Sequence, residues 1–169
     1  MDFPNEFVAL RTRLEEQQGK AFHSRQNITI ANRTAALFST MENYSTRKML
    51  GLFSIGITRH ANEYRLLFAQ PTFQEADLHS WWEYALEVAQ ELVQPDETHD
   101  FSIISLIIAT ESCPRAVQKK LNKLSCEQTY GVNGWSSIHM AIVDFSSHIV
   151  YTNRMGAPLK NILNPLVKQ

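Results

Sequence analysis

A cysteine and a glutamate stand together in a short polar turn that follows the most apolar stretch of the chain. Residues 101–109 are almost unbroken apolar and rich in isoleucine, and a helical pattern begins at Pro114. In open α/β sheets ligands collect at the carboxyl ends of strands, and the start of a helix lowers the pKa of a thiol. Cys113 is therefore a candidate nucleophile, with Glu111 or a histidine as its base. The alternative is a polar turn in which Ser112 or Cys113 caps the helix.

A second candidate site combines Glu111 with His139 and Asp144, which lie in and near a later predicted strand. Carboxylates and imidazoles on adjacent strands can hold a divalent cation for hydrolysis. However, these residues form no diagnostic spacing, the six histidines are scattered and no CxxC pair occurs. We therefore predict no metal site and no cofactor. A metal-dependent hydrolase or nuclease, or a thiol enzyme, is the alternative function.

The third candidate site is an acidic helix that carries two adjacent tryptophans. Residues 72–93 repeat apolar side chains at intervals of three and four, and the opposite face carries carboxylates. Trp81 and Trp82 lie about 100° apart around such a helix, so both are buried only under a wide apolar cover. The residues that we predict to bind a partner are Trp81, Glu83, Glu87 and Glu91. The alternative is that Trp82 is core, Trp81 is a half-covered edge and the carboxylates form a solvated face.

Charge is distributed very unevenly along the sequence. The 169 residues have a net charge of −1, yet residues 73–112 contain nine Asp or Glu and no Lys or Arg. The segments before and after this one carry net charges of +3 and +5. A surface of negative sign repels nucleic acid and attracts a basic protein. We therefore predict a basic protein partner; nucleic-acid binding through the basic thirds is less favoured, and homo-oligomerisation stays open.

These sites need elements to position them, and the apolar periodicity predicts both helices and strands. The predicted helices are residues 3–19, 28–44, 72–93, 114–125 and 159–166, and the predicted strands are residues 48–58, 64–69, 101–109, 137–145 and 148–152. The order predicts a mixed α/β fold, in which two hairpins flank the central strand in a five-stranded sheet packed by four to five helices. We expect one domain, with an N-terminal helical segment 1–45 and an α/β core 46–169.

Composition limits the class of protein. Hydrophobic residues make up 44% of the chain, which is sufficient for one core. No apolar run approaches the roughly 18 residues of a membrane-spanning helix, the first residues do not resemble a signal peptide, and two cysteines are too few for a disulfide framework. We predict a small cytoplasmic interaction or accessory protein, of a bacterial multi-component or toxin-neutralising system, that docks its partner through the acidic helix.

Overall fold

The structure is a computed structural model that describes residues 2–47 and 57–167. A mixed β-sheet lies between two layers of helices, so the predicted mixed α/β class is confirmed. The helices are α1 (Phe3–Gln18), α2 (Glu75–Leu92), α3 (Arg115–Leu121) and α4 (Ala157–Val167). The strands are β1 (His23–Arg25), β2 (Ile28–Ile30), β3 (Arg33–Ala35), β4 (Leu37–Arg47), β5 (Ile57–Ala69), β6 (His99–Thr110), β7 (Glu127–Thr129), β8 (Trp135–Asp144) and β9 (Ile149–Thr152).

The main sheet has seven strands in the order β1-β4-β5-β6-β8-β7, and β9 also pairs with β8. β4 and β5 are antiparallel, whereas β5, β6 and β8 are parallel because α2 and α3 connect them as crossovers. β6 is therefore the central strand that the sequence predicted. The sheet has two strands more than the predicted five, and β2 and β3 form a separate antiparallel pair.

Each face of the sheet has its own apolar core. On β6 and β8 the even-numbered side chains, such as Leu106 and Met140, pack with the α2 and α3 side. The odd-numbered side chains, such as Ile107 and Val143, pack with α1 and α4. This alternation follows from the two-residue period of a strand. It also decides which candidate residues can meet, since residues of opposite parity on one strand lie on opposite faces.

The predicted helix over residues 28–44 is wrong, and with it the helical character of the segment 1–45 beyond α1. These residues form β2, β3 and most of β4. Apolar residues at helical spacing favour a helix there, but Asn27 and Ala31 have φ of 56° and 51°, which a helix does not allow. Pairing of β4 with β1 on one edge and β5 on the other supplies the hydrogen bonds that a helix would have supplied.

The chain reversal implied at residues 59–63, between the predicted strands 48–58 and 64–69, is also wrong, because β5 runs through these residues. The sequence there is rich in polar residues, and β5 has a register shift against β6 between His60 and Ala61. The polar stretch thus marks an irregularity inside a strand instead of a reversal of the chain. Most of the strand predicted at residues 48–58 lies outside the described residues.

The remaining helices are confirmed with shifted bounds. At the start of α2 the Asp77 side chain accepts from the Gln74 N–H at 2.7 Å, and the Asp77 N–H donates to the Gln74 carbonyl at 3.1 Å. α4 continues through Pro165 to Val167. None of the helices in the described part of the chain combines the length and the apolar character that crossing a bilayer requires.

Candidate functional site

The turn after β6 brings Cys113 and Asp144 together through the backbone. The Cys113 N–H donates to Asp144 Oδ2 at 2.9 Å, and Asp144 Oδ1 accepts from the Ser147 N–H at 3.0 Å and the Ser146 hydroxyl at 2.8 Å. Burial raises the pKa of Asp144, but these hydrogen bonds outweigh it and hold the pKa below its ordinary value. The ionised carboxylate therefore fastens the turn after β6 to the turn after β8.

The Cys113 side chain is unsuited to the nucleophilic role that its position suggested. Only 4% of the residue is exposed. Burial, and secondly the negative charge of Asp144, raise the pKa of the thiol to about 12. A nucleophilic cysteine needs the thiolate, which is scarce at neutral pH when the pKa is this high. Cys113 thus acts as a small apolar side chain in the core on the α2 side of the sheet.

Glu111 and His139 do not join Cys113 and Asp144. Glu111 is exposed on the turn after β6. His139 lies five residues before Asp144 on β8, which is roughly 16 Å along a strand, and it faces the side of α1 and α4. In residues 2–47 and 57–167 no three His, Cys, Asp or Glu side chains are grouped so as to hold a metal ion. We therefore base no catalytic proposal on this set.

His139 belongs instead to a row of polar residues that crosses five strands on the α1 and α4 side. The directly paired residues are Ser24, Ser39, Arg65, Ser105 and His139. The hydroxyls of Ser24 and Ser39 are 2.8 Å apart and share a hydrogen bond. The sequence could not reveal this row, because its members come from separate parts of the chain and meet only through the register of the sheet.

Ser39, Ser105 and His139 of this row are buried, and Ser24 and Arg65 are partly buried. Arg65 Nε donates to Glu63 at 2.7 Å, and the Arg65 guanidinium lies 4.2 Å from the Phe22 ring centroid. Burial lowers the pKa of His139, against the opposing charge of Glu63, so the imidazole is neutral at pH 7. The hydroxyl of Ser105 is buried and has no hydrogen-bond partner among the described residues. These groups are tied to each other or enclosed, and the described cavities do not open onto Ser105 or His139.

The two tryptophans of α2 have environments opposite to those considered from the sequence. Trp81 is only 5% exposed, and its Nε1 donates to Gln70 Oε1 at 2.6 Å. Its ring packs against Phe68 at 4.8 Å between centroids, and the Arg33 guanidinium lies 4.0 Å from the ring centroid. Trp82 is half-buried. Trp81 is therefore a core residue that cannot anchor a partner, and Trp82 is the accessible tryptophan.

The hairpin of β2 and β3 packs across one side of α2. The Tyr84 hydroxyl donates to the Ile30 carbonyl at 2.9 Å, and Arg33 Nη2 donates to Ser80 Oγ at 2.5 Å. At the tip of the hairpin the Ala31 N–H donates to Glu91 at 2.8 Å. The apolar spacing of residues 28–44 favours a helix, so the sequence does not reveal this hairpin. The hairpin covers Tyr84, and its tip reaches Glu87 and Glu91, which remain exposed.

The predicted carboxylates form an exposed line along α2, which we call the acidic ridge (Glu83, Glu87 and Glu91). Residues four apart are neighbours on a helix surface, and all three are exposed. Glu87 accepts from the Asn32 amide at 3.3 Å, and Glu83 lies 3.1 Å from His79. Glu87 and Glu91 accept from neutral donors, the Asn32 amide and the Ala31 N–H. The hairpin therefore orients these carboxylates without cancelling their charge.

An apolar groove opens beside the acidic ridge, between α2 and the end of α3. Its volume is about 500 Å³. The apolar lining residues are Ala76, Leu78, Trp82 and Leu124, and Glu75, His79 and Lys120 complete the lining. Lys120 forms an ion pair with Glu75. A groove with an accessible tryptophan next to a charged line has the composition of a protein-binding surface.

The comparison with known protein families gives one assignment. A family model described as Domain of unknown function (DUF8052) matches residues 8–165, which is most of the chain, so the chain belongs to that family. No curated protein and no solved structure matches the chain.

Proposed function

We propose that this member of the DUF8052 family is a small cytoplasmic accessory protein that docks a basic protein partner. The partner would lay cationic side chains along the acidic ridge and place an apolar side chain in the groove beside Trp82. The observation that carries the proposal is the adjacency of three exposed carboxylates and an apolar groove on one helix. Buried apolar anchors supply affinity at an interface, and charges at its rim steer the encounter.

The charge of α2 is poorly neutralised within the described part of the molecule. Lys120 is paired with Glu75 at the start of the helix. Arg33 is engaged with Ser80 and with the rings of Trp81 and Tyr84. The last turn of α2 contains no basic residue, so the negative end of the helix dipole adds to the field of the ridge. A cationic partner would supply the missing positive charge.

The chemistry of the cysteines fits the compartment that we propose. Cys113 and Cys126 are both free. Free thiols persist in reducing compartments, whereas oxidising compartments favour disulfides. The two free thiols therefore support a cytoplasmic location for the proposed partner binding.

The test is to remove the ridge charge while keeping its hydrogen-bond acceptors. In the variant E83Q/E87Q/E91Q each amide oxygen can still accept from the hairpin, so the fold should be retained. We expect its affinity for a labelled, lysine- and arginine-rich amphipathic peptide to fall about tenfold, since three charge pairs of about 0.5 kcal/mol each amount to that factor. Fluorescence anisotropy at low and high salt measures the affinity, and the wild-type affinity should fall with salt.

The matched control is E6Q/E16Q/E127Q, which changes the net charge equally at three exposed positions outside α2. We expect this control to bind the peptide within about twofold of the wild type. The variant W82A should weaken binding at both salt concentrations, because it removes an apolar contact. Equal binding by the ridge variant and the control would show that total charge, and not this face, attracts the peptide, and the proposal would fail.

A further inference from the structure

A second cavity lies at the C-terminal end of α2, against the strands β4 and β5. Its volume is about 460 Å³. The lining residues that bear on its chemistry are Glu42, His60, Asn62, Tyr64, Leu92 and Asp96. We propose that this cavity binds an organic cation, a guanidinium or primary ammonium group carried on a short alkyl chain. The site goes beyond the docking face, since none of the ridge or groove residues lines it.

The charges around the cavity are negative. Glu42 pairs across the sheet with Asn62, and Asp96 lies in the loop after α2. No lysine or arginine is among the described residues that line the cavity. The C-terminal end of α2, which ends at Leu92, adds the partial negative charge of a helix terminus without a basic side chain in its last turn. A positively charged ligand is therefore favoured.

The hydrogen bond of His60 with Thr98 leaves the other ring nitrogen of this lining residue as an acceptor. The Thr98 hydroxyl has a single proton, which it donates to Asp96 Oδ1 at 2.7 Å. It then accepts from His60 Nδ1 at 3.0 Å, so Nδ1 carries the ring proton. In the neutral ring Nε2 is left with a lone pair. The Thr98 N–H also donates to Asp96, and these hydrogen bonds hold the pKa of Asp96 below its ordinary value.

The cavity therefore offers two carboxylates, an imidazole nitrogen and the Asn62 amide oxygen as acceptors. A guanidinium group has five N–H donors and no acceptor, and an ammonium group has three donors. Tyr64 and Leu92 provide an apolar wall for an alkyl chain, and the Tyr64 hydroxyl is already used by the Leu92 carbonyl at 3.3 Å. Burial, and secondly the Glu42 carboxylate, raise the pKa of Tyr64, so the phenol stays neutral beside the ligand.

The experiment titrates the full chain with butylguanidinium, butylammonium and the uncharged analogue butylurea, followed by NMR. We expect both cations to bind the wild type, and the variant E42Q to weaken binding about tenfold through the loss of one charge-assisted hydrogen bond. The matched control is E97Q, which changes an exposed carboxylate next to Asp96 that does not line the cavity. It should bind like the wild type.

Equal binding of butylurea and butylguanidinium would overturn the proposal, and so would equal affinities of E42Q and the wild type. Failure to perturb the resonances of His60 and Asn62 at about 10 mM cation would overturn it as well. The basic peptide used for the acidic ridge distinguishes the source of the cation. A weaker peptide affinity of E42Q would assign the cavity to an arginine or lysine of the partner, whereas an unchanged one would assign it to a free small molecule.

The two proposals fail separately. E83Q/E87Q/E91Q should bind butylguanidinium as the wild type does, because the ridge residues do not line the cavity. Loss of cation binding by this ridge variant would contradict a separate cavity and indicate general attraction to the charge of α2. Retention of cation binding together with unchanged peptide binding would reject the docking face alone.

Discussion

The thiol of Cys113 lies beneath the turn that follows β6, with the Asp144 carboxylate as its charged neighbour. The same two residues would serve catalysis if the thiol faced a cleft and a base accepted its proton. Here the Asp144 carboxylate receives backbone and hydroxyl donors, and the thiol is enclosed by apolar side chains. Residue type alone does not separate these roles; the direction of the side chain and its burial do.

The pKa of Cys113 predicts a pH dependence of stability. The folded pKa of about 12 is higher than the ordinary value of 9.0 for a cysteine thiol, so between these pH values the unfolded chain releases the thiol proton and the folded protein keeps it. The contribution of the thiol is therefore present below pH 9 and is lost as the pH rises toward 12. We expect the free energy of unfolding of C113A to fall less steeply over this range than that of the wild type. The difference between the two slopes should correspond to at most about one bound proton.

Urea unfolding at several pH values measures this difference in slope, with C126A as the matched control. Cys126 is half-buried, and burial raises its pKa as well. The slope of C126A should therefore lie closer to that of the wild type than the slope of C113A does. In native protein iodoacetamide should modify Cys126 before Cys113. Rapid modification of Cys113 near pH 8, or identical slopes for C113A and the wild type, would show that the thiol is accessible and titrates normally.

At the scale of the elements, one asparagine holds together the segment that links β9, β8 and α4. Asn153 Oδ1 accepts from the Met140 N–H and the Gly156 N–H, each at 2.9 Å. Its amide nitrogen donates to the carbonyls of Ile138 at 3.0 Å and Leu124 at 3.3 Å. A Cβ on Gly156 would lie 2.5 Å from Asn153 Oδ1, so only glycine fits beside this amide. All of the side-chain hydrogen-bonding capacity of Asn153 is thus used inside the fold.

We expect N153A to lower the free energy of unfolding by at least about 3 kcal/mol, because it leaves several buried backbone groups without partners. N153D should also be destabilising, since a carboxylate would face two carbonyl oxygens. The control N122A changes an exposed asparagine at the end of α3 and should alter the free energy by less than about 0.5 kcal/mol. Chemical denaturation measures all three. A stability of N153A within about 1 kcal/mol of the wild type would show that water replaces the amide.

The elements that the sequence predicts well are those whose patterns are local. α2, β6 and the hairpin of β8 and β9 each show a clear apolar period bounded by turn residues. Residues 28–44 fit a helical spacing as well as a strand, and only pairing with the distant β5 decides between them. The candidate sites follow the same division. The acidic ridge is a local pattern on one helix, whereas the polar row, the apolar groove and the polar cavity are assembled from segments far apart in the sequence.

At the scale of the whole molecule, polarity follows the direction of the parallel strands. Their carboxyl-terminal halves are apolar on both faces and carry the two cores. Toward their amino-terminal ends polar residues occur on both faces, with His60 and Asn62 on the side of α2, and Ser137 and His139 on the side of α1 and α4. Ligands of open α/β sheets usually bind at the carboxyl ends. In this protein the polar cavity lies at the opposite end of the sheet, which explains why the turn after β6 offers so little chemistry.

The same arrangement predicts how stability is distributed over the sheet. β6 is paired with β5 and β8 along its length, and its residues 104–110 are all buried. β7 is a three-residue edge strand whose residues are all exposed. Amides of a fully covered central strand exchange only when the whole domain unfolds, whereas edge strands open locally. We therefore expect the β6 amides to show exchange free energies close to the global free energy of unfolding.

 

Hydrogen exchange followed by NMR at increasing low concentrations of denaturant measures this distribution. The β6 amides should exchange slowest and should depend on denaturant as steeply as global unfolding does, because their exposure requires both layers of helices to separate from the sheet. The β7 amides should exchange orders of magnitude faster and show little dependence on denaturant. β9, which pairs with the same edge of β8 but is covered by α4, serves as the comparison and should lie between them. Exchange of β6 as fast as that of β7 would mean that the sheet opens at its centre, and the packing of helices on both faces of the sheet would not be what holds the fold together.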